Sequence, residues 1–204
     1  MVSQKMNPQP RHLQGLQTLP CLSKRSARLE SPGETFYYFA YGSCMCPVDL
    51  KRSLGEPTHP YAIGPATLKG YRLQFSGYST FRNCGVLDVV KDPTASVEGV
   101  LYQLPWRLSD RLDEREKGYD REAIEISVGH QVYQNVRTYT VAHKLSEELP
   151  PNDWYFQVVL RGAVTCGLPE SYCWHLFNYM HQLQTRPGQN MRLKSSSIST
   201  QFPG

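Results

Sequence analysis

The first part of the chain whose residue types could do chemistry is one short segment, Tyr41-Gly42-Ser43-Cys44-Met45. It ends an unbroken aromatic run over residues 35–41, which predicts a strand buried on both faces. Where such a strand ends in Gly-Ser ahead of a helical start, successive backbone N–H groups point in one direction. Groups arranged in this way bind a carboxylate or an oxyanion. An ordinary strand-to-helix turn would have the same sequence, so these residues alone leave both interpretations open.

The second candidate is a charged run in the middle of the chain, Asp113-Glu114-Arg115-Glu116-Lys117-Gly118-Tyr119. A mixed run of this kind is usually the solvated end of a helix, and that interpretation stays open here. The helix predicted to begin near Ser109 would end at Gly118, where the chain turns back toward the sheet. A partly desolvated carboxylate at such a turn can accept and return protons near neutral pH. The run therefore holds a candidate general acid/base.

Other kinds of catalytic site have little support. The six cysteines include Cys44-Met45-Cys46, but no second pair stands at metal spacing, so a zinc site is poorly supported. Without a secretory signal, reduced thiols are the expectation. The histidines lie in separate segments. The sequence motifs of serine hydrolases, P-loops and dinucleotide-binding sites do not occur.

The elements that must position the two candidates are mostly strands. Turn signals at Gly70, Gly77 and Asp92-Pro93 predict four strands between residues 60 and 104. Two further strands are predicted near 123–128 and 132–142. A short helix is predicted to begin at Pro47, and two helices follow, one capped by Asn152-Asp153 and one beginning near Pro169. Their apolar stripes predict core packing: Phe156, Val159 and Leu160 in the first, and Cys173, Leu176, Phe177 and Met180 in the second. The order predicts an α+β domain with a curled or closed sheet.

Composition and charge limit the extent of the domain and the classes of partner it can have. With 40% hydrophobic and 20% charged residues, the chain is ordinary for a globular protein. We predict a disordered extension over 1–34, a domain over 35–183 and a disordered tail over 184–204. The net charge of +4 arises in the two ends, so the domain between has no basic excess for nucleic acid. No stretch has the roughly 20 apolar residues of a membrane helix. We therefore expect a cytoplasmic protein.

Four blocks, taken together, resemble the γ-glutamylcyclotransferase (AIG2-like) family. They occur in the family's order and cover roughly residues 35–183. The blocks are Phe39-Ala40-Tyr41-Gly42-Ser43 with Cys44-Met45, against the family's F-x-Y-G-S-N-[LM]; Glu98-Gly99-Val100-Leu101-Tyr102, against its x-x-G-x-[VL]-[WY] strand; Leu112-Asp113-Glu114-Arg115-Glu116, against its L-D-x-x-E; and Tyr155 to Gly162 with Gly167-Leu168-Pro169 and Tyr172, against its closing Y-x(6)-G…GLP-x-x-Y helices.

The resemblance implies a small mixed β-barrel flanked by helices, with a pocket at one mouth. It implies that the α-amine of a γ-glutamyl compound attacks its own γ-carbonyl, releasing 5-oxoproline and an amine, as in glutathione metabolism. No cofactor or metal is implied, and the protein would be a monomer or homodimer. Glu116 would be the catalytic acid/base. The substrate-binding residues would be Tyr41, Gly42, Ser43, Cys44, Met45, Tyr119 and Tyr155.

One departure from the family pattern keeps alternatives open. The family loop has Asn where this chain has Cys44, and a thiol differs from an amide in its donors and acceptors. A transfer-type relative acting on a γ-glutamylated carrier or lysine is one alternative. A second is a non-catalytic module of the same fold that binds γ-glutamyl or other small molecules. A third is a thiol enzyme or redox sensor that uses Cys44 and Cys46.

Overall fold

The computed structural model describes residues 33–186. These residues form five β-strands and four α-helices, with short 3₁₀ turns between some of them. The strands are β1 Thr35–Ala40, β2 Ala62–Ser79, β3 Cys84–Pro105, β4 Tyr119–Val128 and β5 Gln131–Val141. The helices are α1 Pro47–Leu54, α2 Ser109–Arg115, α3 Asp153–Thr165 and α4 Glu170–Thr185. The predicted extension over 1–34 and tail over 184–204 lie outside the described residues, except for a few positions at their inner ends.

The strands close into a barrel in the order β1-β3-β2-β4-β5. All neighbouring strands run antiparallel except β1 and β5, which meet in parallel at Tyr38 and Arg137. The barrel is therefore mixed, as the resemblance implied, and the α+β fold class is confirmed. β1 lies between β3 and β5 in the closed barrel, and its Phe39 is fully buried.

Of the strand breaks predicted between residues 60 and 104, those at Gly70 and Asp92-Pro93 were wrong, and the one predicted at Gly77 lies instead at residues 80–83. β2 and β3 are two long strands of one hairpin, and Gly70 and Gly77 lie inside β2. The strand register shifts near both glycines, so each marks a bulge rather than a turn. Asp92 and Pro93 lie in a bulge of β3 opposite Gly70. A bulge accommodates a residue that has no partner on the neighbouring strand, so the strand continues past it. The local sequence does not distinguish a glycine in a bulge from a glycine in a turn.

The two long helices pack one face each against the barrel. The Asn152 side chain caps α3 by accepting a hydrogen bond from the Tyr155 amide at 2.8 Å, as predicted. In α4 the predicted stripe is buried at three of four positions, and Phe177 is half-buried. In α3 Val159 is buried but Phe156 and Leu160 are only partly so. The fully packed face of α3 is formed instead by Tyr155, Val158, Val159, Gly162 and Ala163.

Three further observations concern the thiols, possible metal sites and possible membrane helices of residues 33–186. The cysteines of residues 33–186 are all free thiols, and most of them are buried. Within the same range, no group of three or more His, Cys, Asp or Glu side chains could hold a metal ion. None of its helices combines the length and the apolar character needed to cross a membrane.

Candidate active site

One cavity at the mouth of the barrel brings the two candidate segments together. It has a volume of about 40 Å³, enough for a few water molecules, and it opens to solvent. Five parts of the chain form its wall: the end of β1 with the turn that follows, one residue each of β3 and β5, the turn between α2 and β4, and the first turn of α3. The lining residues are Tyr38, Tyr41, Gly42, Ser43, Cys44, Leu87, Glu116, Tyr119, Tyr139 and Tyr155.

The turn after β1 is a 3₁₀ turn over Ser43–Met45. Its own hydrogen bonds run from the Met45 amide to the Gly42 carbonyl at 3.0 Å and from the Cys46 amide to the Ser43 carbonyl at 3.1 Å. The amides of Ser43 and Cys44 precede these donors and are not used by the turn itself. Both amides belong to residues that line the cavity.

Met45 is an exception among the predicted site residues, and its assignment to substrate binding is not supported. Its side chain is fully buried in the core and does not line the cavity. The 3₁₀ turn directs Met45 inward, where it packs beneath the loop. The backbone at Met45 and Cys46 lies directly against Gly162 of α3, and a Cβ built at Gly162 would lie 2.6 Å from the Cys46 nitrogen. Close contact with α3 therefore fixes the position of the loop.

Glu116 lies at the turn where α2 ends and β4 begins. Its amide donates to the Leu112 carbonyl at 3.0 Å as the last bond of the helix, and its carbonyl accepts from the Tyr119 amide at 2.9 Å. Gly118 takes the positive φ of 95° that closes this turn, a conformation that favours glycine. The chain turns back toward the barrel at this point, as the sequence predicted. The turn places Glu116 and Tyr119 on the cavity wall.

The Glu116 carboxylate is held in one orientation by two side chains. Cys44 Sγ donates to Glu116 Oε1 at 2.8 Å, and the Tyr38 hydroxyl donates to the same oxygen at 3.4 Å. The side chain is 12% exposed, so its remaining surface faces the cavity. Among residues 33–186, every assigned contact of this carboxylate ends on Oε1. Oε2 is therefore the oxygen that can meet a ligand.

The charged run around Glu116 divides into an exposed part and a buried part. Glu114 and Lys117 are largely exposed and form an ion pair with each other at 3.6 Å, as expected for a solvated helix end. Arg115 instead points inward, with only 8% of its side chain exposed. Its Nε donates to Cys44 Sγ at 2.9 Å, and its Nη2 donates to Asp49 Oδ2 at 2.5 Å. The same guanidinium also donates to the hydroxyls of Ser43 and Ser53.

Cys44 both accepts and donates a hydrogen bond in this site. Its sulfur accepts from Arg115 Nε, and its S–H donates to Glu116 Oε1. Burial raises the pKa of the thiol to about 12; the Arg115 charge opposes this effect and the Glu116 charge adds to it. The thiol therefore keeps its proton at neutral pH. Reactive thiols need the opposite shift, so the structure disfavours a thiol enzyme based on Cys44.

The tyrosines of the cavity form a wall of neutral phenols. Burial raises the pKa of Tyr38, Tyr41, Tyr119 and Tyr155 above the ordinary value of 10.0. The Tyr41 hydroxyl donates to the Tyr139 carbonyl at 2.5 Å. The Tyr155 hydroxyl accepts from the Leu87 amide at 3.1 Å, which leaves its own proton for a further acceptor.

Four residues of this site were not among those predicted from the sequence. Tyr38 and Tyr139 lie on β1 and β5, where their aromatic and β-branched neighbours indicated only strands. Leu87 lies on β3 and presents its backbone as well as its side chain. Arg115 lay inside a charged run that gave no sign of which member is buried. The nearest available signal was its position next to Glu116.

Comparisons with known proteins agree with this architecture. The model of the AIG2-like family matches residues 96–176. YkqA of Bacillus subtilis, whose name proposes a γ-glutamylcyclotransferase, is 30% identical over 138 residues, covering 66% of this chain and 48% of YkqA. The γ-glutamylcyclotransferase of Mus musculus is 29% identical over 146 residues, covering 69% of this chain and 76% of the mouse protein. The chain thus spans about half the length of YkqA.

Solved structures give the same result for the fold. The crystal structure of YkqA superposes with a TM-score of 0.68 at 28% identity, covering 74% of this chain and 55% of that one. A structure described as γ-glutamyl cyclotransferase superposes with a TM-score of 0.62 at 23% identity, covering 70% of this chain and 86% of that one. At this identity the second likeness establishes the fold alone.

Proposed function

The chain belongs to the γ-glutamylcyclotransferase (AIG2-like) family, and we propose that it has the cyclotransferase activity, with Glu116 as its acid/base. One observation carries the proposal. A single oriented carboxylate, Glu116, lines the same cavity as the turn that contains the unused amides of Ser43 and Cys44. A proton acceptor is thus combined with preorganised donors for an anion, which is the combination that the reaction requires.

In the proposed reaction, the α-nitrogen of the substrate forms a bond to its own γ-carbonyl carbon. The bond between that carbon and the leaving nitrogen breaks, which yields 5-oxoproline and a free amine. Glu116 takes the proton from the attacking amine through Oε2 and returns it to the departing nitrogen, so the carboxylate ends as it began. Because the nucleophile is part of the substrate, folding the substrate into a reactive conformation supplies much of the acceleration.

The other cavity residues hold the substrate in this proposal. The amides of Ser43 and Cys44 bind its α-carboxylate or the oxyanion that develops on the γ-carbonyl oxygen. Gly42 leaves this stretch of backbone open on the cavity side. Tyr119 and Tyr155 form the wall, and as neutral phenols they can donate hydrogen bonds without adding charge.

The remaining parts of the proposal concern the setting of the enzyme. We propose a free small γ-glutamyl compound as substrate, a role in glutathione metabolism, and a cytoplasmic protein that needs no cofactor. The protein would act as a monomer or a homodimer, without nucleic acid or membrane partners. The charge of the domain supports this choice of partner, because the net positive charge of the chain arises in its two ends, where basic residues outnumber acidic ones.

The test is 5-oxoproline release from a panel of γ-glutamyl amino acids, peptides and amines. Glu116→Gln keeps the side-chain volume and a hydrogen-bond acceptor at the position of Oε1, but an amide cannot take up the proton of the attacking amine. We therefore expect turnover to fall by about 10²–10⁴-fold. Glu114→Gln is the matched control, since Glu114 lies on the same helix and is 77% exposed. Release by wild type and by the control, but not by Glu116→Gln, supports the proposal. Undiminished release by Glu116→Gln would remove Glu116 from the mechanism.

The binding-module alternative rested on Cys44, and no observation favours it. Cys44 donates to Glu116 and accepts from Arg115, so in this chain the residue at this position takes part in orienting the carboxylate. A pure binder would also gain nothing from a carboxylate placed where an anionic substrate must bind. Folded wild-type protein that binds members of the panel without releasing 5-oxoproline would reverse this conclusion.

A further inference from the structure

We infer that Arg115 is a positioning residue, and that it fixes the Glu116 carboxylate through the thiol of Cys44. This inference rests on the proposed function, because it assigns Arg115 a role in the reaction attributed to Glu116. The two charged side chains are neighbours in sequence, yet the structure separates them with a neutral group. Arg115 Nε and Glu116 Oε1 are 3.6 Å apart, and each is closer to Cys44 Sγ, at 2.9 and 2.8 Å.

The direction of the bonds follows from the chemistry of the three groups. A guanidinium has only donors and a carboxylate has only acceptors. Since Arg115 can only donate to the sulfur, the lone hydrogen of Cys44 is left to donate to Glu116. Arg115 therefore sets the orientation of the S–H group, and the S–H group sets the orientation of Oε1. Without Arg115, the thiol could rotate away and the carboxylate would lose its shorter anchoring bond.

Asp49 makes this arrangement compatible with a catalytic carboxylate. A buried guanidinium needs a counter-charge, and Asp49 Oδ2 supplies one at 2.5 Å with both side chains under 10% exposed. Glu116 is consequently not the main ion-pair partner of Arg115, and its second oxygen stays available for substrate. Ser43 accepts from Nη2 and Ser53 accepts from Nη1, so both terminal nitrogens of the guanidinium are fixed.

A double-mutant cycle tests the inference. Arg115→Lys keeps the charge but lacks the planar fork that reaches Asp49 and Cys44 together. We expect it to lower kcat about tenfold with little change in KM, and Cys44→Ala to do the same. In the Cys44→Ala background, Arg115→Lys should cost less than about twofold more, because the connection is already broken. Cys44→Ser, which retains a donor and an acceptor, should restore both kcat and its sensitivity to Arg115→Lys.

A purely structural role for Arg115 predicts a different result. It would lower kcat by the same factor in both backgrounds, and that additivity would overturn the inference. Arg111→Lys is the matched control, since Arg111 also ties α2 to α1, by donating to the Leu54 carbonyl at 2.6 Å, but does not line the cavity. It should leave kcat unchanged. Urea unfolding of each variant separates lost activity from lost fold.

A spectroscopic measurement keeps the inference testable without turnover. The Raman S–H stretching band of Cys44, isolated as the difference between wild type and Cys44→Ser, should lie at the lowered frequency of a thiol bonded to a carboxylate. Glu116→Gln or Arg115→Lys should shift it toward the free-thiol value. A band that stands at the free-thiol value in wild type overturns the inference. If wild type releases no 5-oxoproline but the band is lowered, the proposed function fails while the Arg115–Cys44–Glu116 geometry stands.

Discussion

Cys44 Sγ and Glu116 Oε1 are 2.8 Å apart and join the turn after β1 to the end of α2. Each side chain comes from a segment that looked ordinary on its own. Because of this contact, the orientation of the Glu116 carboxylate depends on the position of the loop that carries Cys44. The same loop offers its amides to the cavity, so proton transfer and anion binding are set by a single piece of backbone.

The first prediction concerns the departure from the family's loop sequence. In Cys44→Asn, the side-chain carbonyl can accept from Arg115 and the amide N–H can donate to Glu116. We expect kcat/KM for 5-oxoproline release to stay within about threefold of wild type. Cys44→Val, of similar volume but without polar atoms, should lose about tenfold or more. Equal activity of Cys44→Val and wild type would show that the thiol has no part in orienting Glu116.

The second prediction is a loss of stability at alkaline pH. The pKa of the Cys44 thiol is about 12 in the folded protein, against an ordinary 9.0, and the pKa values of Tyr38, Tyr41 and Tyr155 are raised in the same direction. Above pH 9 the unfolded chain begins to release these protons while the folded chain keeps them. The free energy of unfolding is therefore unaffected by these groups below that pH and falls as pH rises toward 12.

Urea unfolding at about pH 8 and about pH 10.5 measures this effect. Each such group contributes up to about 1.4 kcal/mol per pH unit between its two pKa values. Cys44→Ser replaces the thiol with a hydroxyl that does not titrate in this range, so its alkaline slope should be shallower than that of wild type. Identical slopes for the two proteins would contradict the burial-raised pKa of Cys44.

The third prediction tests how α3 fixes the loop. Gly162→Ala should raise helix propensity by about 1 kcal/mol, yet its Cβ would lie 2.6 Å from the Cys46 backbone nitrogen. Backbone cannot yield easily at this contact, so we expect a net destabilisation of about 1–3 kcal/mol and reduced 5-oxoproline release. Arg161→Ala, at the preceding exposed position, should be nearly neutral. A stabilised and fully active Gly162→Ala variant would show that the loop does not depend on this approach.

The fourth prediction concerns the buried carboxylate of Asp88, one residue beyond the cavity wall. Its Oδ1 accepts from the Val141 amide at 2.9 Å, and its Oδ2 accepts from the Ser76 hydroxyl at 2.8 Å and from Lys144. Asp88→Asn replaces one carboxylate oxygen with an N–H₂ group, which would face the donors that this oxygen now accepts from. The substitution also removes the negative charge that pairs with Lys144. We expect a loss of about 3 kcal/mol in urea unfolding. Asp92→Asn, in the exposed bulge, should cost less than about 1 kcal/mol; equal losses would contradict the prediction.

Much of the fold could be predicted because its signals are local. Pro47 at the first position of α1, the Asn152 cap of α3 and the aromatic run of β1 each act within a few residues of where they stand. The bulges in the hairpin of β2 and β3 could not be predicted, because they depend on contacts that are not local. Whether Gly70 ends a strand or forms a bulge depends on the strand paired with it, and that strand is distant in sequence.

The site was predictable in its segments but not in its side-chain directions. Arg115 and Lys117 look alike in sequence, and only the packing of α2 against α1 decides that the first is buried and the second is exposed. Met45 adjoins the cavity residues but turns into the core because the 3₁₀ turn rotates it inward. The bonding capacity of Cys44 was underestimated from sequence, since it depends on Arg115 supplying a donor from another element.

The pairing of β1 with β5 has a consequence for the order in which this protein can form on the ribosome. β1 emerges first, but one of its neighbours, β3, follows only after β2, and the other, β5, follows later still. Until β3 has emerged, the aromatic side chains of β1 have no neighbouring strand, so the nascent chain carries an exposed apolar strand during that part of its synthesis. The proposed catalytic pocket is complete only when Tyr155 has emerged, so we expect a nascent chain that ends before α3 to lack the proposed activity.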